Sequence, residues 1–141
     1  MFGLLGGKAN AIEPQKRMLS AMTPTIVERN GKLAMILGTP GGSTIITSVL
    51  QTILNVYEFK MDIQKAVTAP RFHHQWLPDV IVFEPNSFNT SLIESLQAKD
   101  YKITQEYSRI IGRVDAILIS ESNQISTGAD PRGDDTAVHQ Y

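Results

Sequence analysis

Leu37-Gly38-Thr39-Pro40-Gly41-Gly42-Ser43-Thr44 joins the most strand-like part of the chain to the most helix-like part. Upstream, Thr25-Ile26-Val27-Glu28 and Leu33-Ala34-Met35-Ile36-Leu37 flank Arg29-Asn30-Gly31-Lys32, and Asn-Gly between two apolar runs is the strongest short-range hairpin signal. The second run is apolar at nearly every position and reads as a central strand buried on both faces. Downstream, Ser43 or Thr44 is the expected N-cap. Ile45, Ile46, Val49, Leu50, Ile53, Leu54 and Tyr57 then recur at spacings of three and four, the pattern of an amphipathic helix. Its other side, Thr47, Ser48, Gln51, Thr52 and Asn55, is polar but uncharged, which predicts cover by another element. The two adjacent glycines have no Cβ, so their amides can approach a ligand closely. A helix start adds free donors and partial positive charge, so an anion or a developing oxyanion is a chemically reasonable guest. Pro-Gly-Gly in this position is more often only a tight turn. A phosphate loop is set aside, because no Lys follows the glycines.

Outward from this stretch, Asp62 to Ala69 reads as a short helix capped by Asp62 and closed by Pro70. Pro70 to Asp79 is an aromatic-rich connector. Val80 to Glu84 reads as a strand, Asn89 or Thr90 caps a further helix through Leu92, Ile93 and Leu96, and Tyr101 to Glu106 and Val114 to Ser120 are strands. A turn at Ser122-Asn123 leads to Gln124–Ala129. Strands and helices in separate runs predict an α+β domain of sheet and helix layers.

The 141 residues suffice for one domain with a core. Lys+Arg at 13 against Asp+Glu at 14 gives a net charge of -1, so no basic field points to nucleic acid or an anionic membrane. Cys is 0, which excludes disulfides, thiolate metal ligands and a cysteine nucleophile. No apolar run is long enough to span a bilayer, and Met1 to Asn10 lacks the features of a signal peptide. His73-His74, with His139 as a third candidate, is an awkward metal site because neighbouring side chains diverge, and a hydrogen-bonded role is expected. Asp130, Asp134 and Asp135 around Arg132 lack the ligand ladder of a calcium loop and read as a self-satisfied turn. No metal or cofactor is expected. No serine sits in a nucleophile elbow.

Four blocks together closely resemble the γ-glutamyltransferases, also called γ-glutamyltranspeptidases or glutathione hydrolases. They are Lys16-Arg17-Met18-Leu19-Ser20-Ala21-Met22-Thr23-Pro24-Thr25-Ile26-Val27, Gly38-Thr39-Pro40-Gly41-Gly42-Ser43, Ala69-Pro70-Arg71-Phe72-His73-His74-Gln75-Trp76-Leu77-Pro78, and Gly128-Ala129-Asp130-Pro131-Arg132 with Asp134-Asp135. The order is kept across nearly the whole chain, which looks like the C-terminal part of the family's small subunit. The resemblance implies a four-layer αββα fold of the N-terminal-nucleophile hydrolase type, of which residues 1–141 would form a single partial domain. It implies a γ-glutamyl-enzyme made by a threonine whose own α-amine is the base, acting on glutathione and other γ-glutamyl amides. It places the oxyanion hole at the Gly41 and Gly42 amides. It assigns Ser20 to the substrate α-carboxylate, with Ala21 standing where the family has a second serine.

The nucleophilic threonine is expected upstream of Met1, since internal threonines present no free α-amine. The chain alone is then expected to be inactive, completed by an N-terminal portion or large subunit, or to self-associate. Left open beside this are a non-catalytic remnant that binds or scaffolds and a related amide acylase. The family implies a periplasmic or extracellular setting.

Overall fold

In a computed structural model of the chain, residues 6–18, 22–105 and 111–138 are described. The hairpin forms as the Asn-Gly signal predicts: β1 (Thr25–Arg29) and β2 (Lys32–Gly38) pair antiparallel from Thr25↔Leu37 to Arg29↔Lys32, with a bulge between Val27 and Glu28. Asn30 and Gly31 both have positive φ, 53° and 71°, as a type I′ turn requires. β6 (Asp115–Ile119) pairs antiparallel with β2, and β7 (Ile125–Gly128) with β6, giving the order β1-β2-β6-β7. β2 is therefore central, as its sequence predicts.

Helices α1 (Thr44–Tyr57) and α2 (Ile63–Thr68) cover one face of this sheet. The core between them is Met35, Leu37, Ile45, Val49, Val56, Ile63, Ala66, Val67, Val114 and Ala116. The Asp62 side chain caps α2 by accepting from the Lys65 amide at 2.8 Å, as expected. The cap of α1 differs from expectation. Ser43 is the N-cap residue but is itself helical and makes no side-chain cap bond, while Thr44 Oγ1 donates backwards to the Gly41 carbonyl at 3.0 Å.

The opposite face of the sheet is apolar and open. Ile26, Ile36 and Ile117 stand in one row across β1, β2 and β6, and are 66%, 37% and 39% exposed. The expectation that β2 is buried on both faces is thus corrected: helices bury one face, and the other is partly exposed. An apolar sheet face left partly exposed is a surface for a further layer to cover.

A second sheet carries β3 (Phe72–His73), β4 (Ile81–Phe83) and β5 (Ile103–Thr104), with β3 antiparallel and β5 parallel to β4. The parallel step is made through α3 (Thr90–Gln97), capped by Asn89, whose Oδ1 accepts from the Ser91 amide at 2.9 Å. Phe72, Phe83 and Phe88 pack with centroids 4.8–6.3 Å apart.

The polar side of α1 is covered, as its lack of charge predicts. Ser48 and Thr52 are fully buried alongside Ile45, Val49 and Val56, whereas Ile46 and Leu50 are 74% and 52% exposed. Burial of the hydroxyls is cheap because the helix satisfies them: Ser48 Oγ donates to Thr44 O at 2.8 Å, and Thr52 Oγ1 to Ser48 O at 3.0 Å. Gln51 pairs with the backbone of Phe72, donating to its carbonyl at 2.8 Å and accepting from its amide at 3.1 Å. It thereby ties the second sheet to α1.

Candidate functional site

β2 ends at Gly38, and the chain turns through Thr39 to Gly42 before entering α1. Gly41 and Gly42 have φ of +149° and +61°, values that side chains rarely adopt. Their carbonyls accept from the amides of Thr44 and Ile45, each at 3.3 Å. Among the described residues no acceptor takes up the Gly41 or Gly42 amide. Gly41 is exposed and Gly42 half-buried, so two adjacent donors at the head of a helix of 14 residues remain available. Aligned peptide dipoles give that end partial positive charge. Free amides at a positively polarised helix end suit a negatively charged oxygen.

The turn is clamped from below. Thr39, 1% exposed, donates its hydroxyl to the Pro40 carbonyl at 2.7 Å and accepts from the Arg113 amide at 2.7 Å. Ser48 Oγ also reaches the Ile111 carbonyl at 3.2 Å. Gly112, with φ of +72°, lies between them. A Cβ there would meet Ser48 Oγ at 2.5 Å and Thr39 Oγ1 at 3.0 Å, so only glycine lets this segment lie so close to the turn.

Behind the segment sits a buried charge network. Arg71 Nη1 pairs with Asp130 Oδ2 at 2.7 Å and donates to the Ile111 carbonyl at 3.1 Å; its side chain is 1% exposed and that of Asp130 0%. Arg71 Nη2 donates to the Val67 carbonyl at the end of α2. Asp130 also accepts from the amides of Val114 at 2.9 Å and Arg132 at 3.0 Å, and from Arg132 Nη1 at 3.0 Å. Arg132 in turn forks onto Glu84, Nε to Oε1 at 2.7 Å and Nη2 to Oε2 at 2.6 Å. Burial alone would raise the Asp130 carboxyl. The amides of Arg132 and Val114 and the charge of Arg71 outweigh it and hold the group below its ordinary value. Burial draws Arg71 downward against the opposing pull of Asp130, but a guanidinium starts high enough to stay charged. The self-satisfied turn expected around Arg132 is what forms at Asp130, with Arg71 and Glu84 as members that local spacing did not reveal.

The two adjacent histidines part ways as expected. His73 is buried, with Nδ1 2.8 Å from Thr47 Oγ1 and Nε2 2.9 Å from Gln75 Oε1; His74 Nε2 lies 3.1 Å from Asp79 Oδ1 near the surface. Ser20, Ala21 and His139 lie outside the described residues. A groove of about 760 Å³ runs over the open sheet face between Met22, Pro24, Ile36, Asp115 and Val138. It passes Gly38 but does not contain the glycine pair. Among the described residues no helix is long and apolar enough to cross a membrane.

Sequence reading singled out the glycines and offered Thr44 only as a helix cap; it gave Thr39 and Arg71 no role of their own and did not single out Gly112. A lone glycine just before an apolar strand was the one local sign of Gly112.

The family profile described as gamma-glutamyltranspeptidase matches residues 1–140. A glutathione hydrolase proenzyme of Escherichia coli is 40% identical over the whole chain, and one of Pseudomonas aeruginosa 43% identical over 94% of it. The chain spans 24% of the length of each. The solved structure of a γ-glutamyltranspeptidase from Pseudomonas nitroreducens complexed with L-DON matches at a TM-score of 0.84 and 41% identity, covering 99% of this chain and 72% of that one.

Proposed function

The chain belongs to the γ-glutamyltranspeptidase family, and from that premise we propose that it supplies the oxyanion hole of a γ-glutamyl transferase or hydrolase. The supporting observation is the pair of amides at Gly41 and Gly42, which no acceptor takes up among the described residues. In this reading a threonine from polypeptide outside these 141 residues attacks the γ-carbonyl of glutathione or another γ-glutamyl amide. Its own α-amine takes the hydroxyl proton. The carbonyl oxygen gains the charge as the C=O bond becomes single, and the Gly41 and Gly42 amides donate to it. The tetrahedral centre collapses, the amine departs with a proton, and a γ-glutamyl ester remains on the threonine. Water or the amine of an acceptor then resolves it through the same oxyanion. No step calls for a metal or cofactor.

Ser20 is proposed as a donor to the substrate's α-carboxylate, and Ala21 leaves that pocket one hydroxyl short of the family pattern. The open face bearing Ile26, Ile36 and Ile117 is where the remaining polypeptide would close the sandwich. Such a partly exposed apolar sheet face otherwise invites association. A periplasmic or extracellular setting follows from the family resemblance alone.

The test is reconstitution. The isolated chain is expected to release no p-nitroaniline from γ-glutamyl-p-nitroanilide. The same chain fused behind the preceding portion of the Escherichia coli relative is expected to turn it over. Robust turnover by the chain alone would refute the division of the site. A folded, inactive fusion that still takes up glutamate by calorimetry would favour a binding module.

A further inference from the structure

The geometry points to two threonine hydroxyls, those of Thr39 and Thr44, as the groups that aim the Gly41 and Gly42 amides outward, an inference that rests on reading those amides as oxyanion donors. A peptide unit is planar and trans, so its N–H and C=O point in opposite directions. The unit that carries the Gly41 amide also carries the Pro40 carbonyl. The unit that carries the Gly42 amide also carries the Gly41 carbonyl. Thr39 Oγ1 holds the Pro40 carbonyl at 2.7 Å, and Thr44 Oγ1 holds the Gly41 carbonyl at 3.0 Å, helped by the Thr44 amide at 3.3 Å. Each hydroxyl therefore pins one plane by its oxygen end and turns the opposite N–H away from the protein.

Both threonines are buried, at 1% and 9% exposure, so each hydroxyl is held in place by the packing around it. Thr39 is further oriented by the Arg113 amide, which donates to the same hydroxyl oxygen at 2.7 Å. That leaves the Thr39 proton directed at Pro40. Thr39 and Thr44 are thus positioning residues: each acts through a carbonyl and sets one donor. Preorganised donors matter because their orientation costs nothing at the moment charge develops.

The variants Thr39→Val and Thr44→Val keep shape and remove the hydroxyl, while Thr39→Ser and Thr44→Ser restore it. In the ¹⁵N-labelled chain, Thr39→Val is expected to move the Gly41 amide resonance and Thr44→Val that of Gly42, with the β1–β2 hairpin signals unchanged. In the active fusion each valine variant is expected to lower kcat about tenfold with KM within about twofold, since a misaimed donor loses part of the 10²–10³ that one donor supplies. Each serine variant is expected to recover kcat. Unmoved glycine amides, an unchanged kcat, or serine variants as slow as the valine ones would each overturn the assignment. A parent fusion that folds without turnover would refute the oxyanion reading instead, and the selectivity of the amide shifts would still decide whether the threonines aim the glycines.

Discussion

Asp130→Ala is expected to destabilise the folded chain by about 3–5 kcal/mol, the cost of leaving a buried charge without its partner. The stranded charge is Arg71, whose side chain is 1% exposed and which, among the described residues, pairs with the Asp130 carboxylate at 2.7 Å. The amides of Val114 and Arg132 would lose their acceptor as well. A domain of this size has about 5–15 kcal/mol in total, so the loss takes a large share of it. Urea unfolding followed by circular dichroism measures the change. A loss below about 1 kcal/mol would mean that water reaches Arg71 and that the pair is not buried in solution. Because Arg71 also holds the Ile111 carbonyl beneath the glycine turn, the same variant is expected to loosen the cradle before the chain unfolds globally.

The same pair sets an acid limit. The folded Asp130 carboxyl lies below its unfolded value of about 3.9, so its contribution is complete above that pH. It disappears as pH falls from there through the folded value. The unfolding midpoint of Asp130→Asn should therefore vary less than that of the parent across this acid range.

How far these features can be read from sequence depends on how local their causes are. The β1–β2 hairpin rests on Asn30-Gly31, two adjacent residues whose backbone preference dictates the turn. The Asp62 and Asn89 caps act within three residues and are equally readable. The face of α1 that is buried is not local. Ile46 and Leu50 lie exposed while Ser48 and Thr52 go inward, because the residue 111–112 segment lies over Ser48 and the helix satisfies both hydroxyls. The lack of charge on that side signals cover, but hydropathy does not show that Ile46 and Leu50 stay exposed. Arg71 offers a further case: an arginine between Pro70 and Phe72 has no sequence neighbour to announce a buried partner at Asp130. At the site, two glycines ahead of a helix suggested donors, and the resemblance gave them a role. Thr39 and Thr44 are two threonines among many until the direction of each peptide plane is known.

Gly41→Ala tests that arrangement most severely, with an expected fall in kcat of the active fusion of about 10²–10³, the effect of losing one oxyanion donor. A methyl group at this position would lie 2.5 Å from Thr44 Oγ1, inside any tolerable contact. The φ of +149° is also one that alanine adopts only under strain, about 1–3 kcal/mol. Either the Thr44 hydroxyl swings away and releases the Gly41 carbonyl, or the turn rotates; both misdirect the Gly42 amide. KM should change far less than kcat, since the amides act on charge that exists only in the transition state. Adding Thr44→Ala to Gly41→Ala separates the two causes. Removing the clashing hydroxyl should recover part of the lost thermal stability, yet kcat should stay low because nothing then holds the Gly41 carbonyl. If kcat recovers along with stability, the clash alone explains the defect, and the orientation of the Gly42 amide does not depend on Thr44.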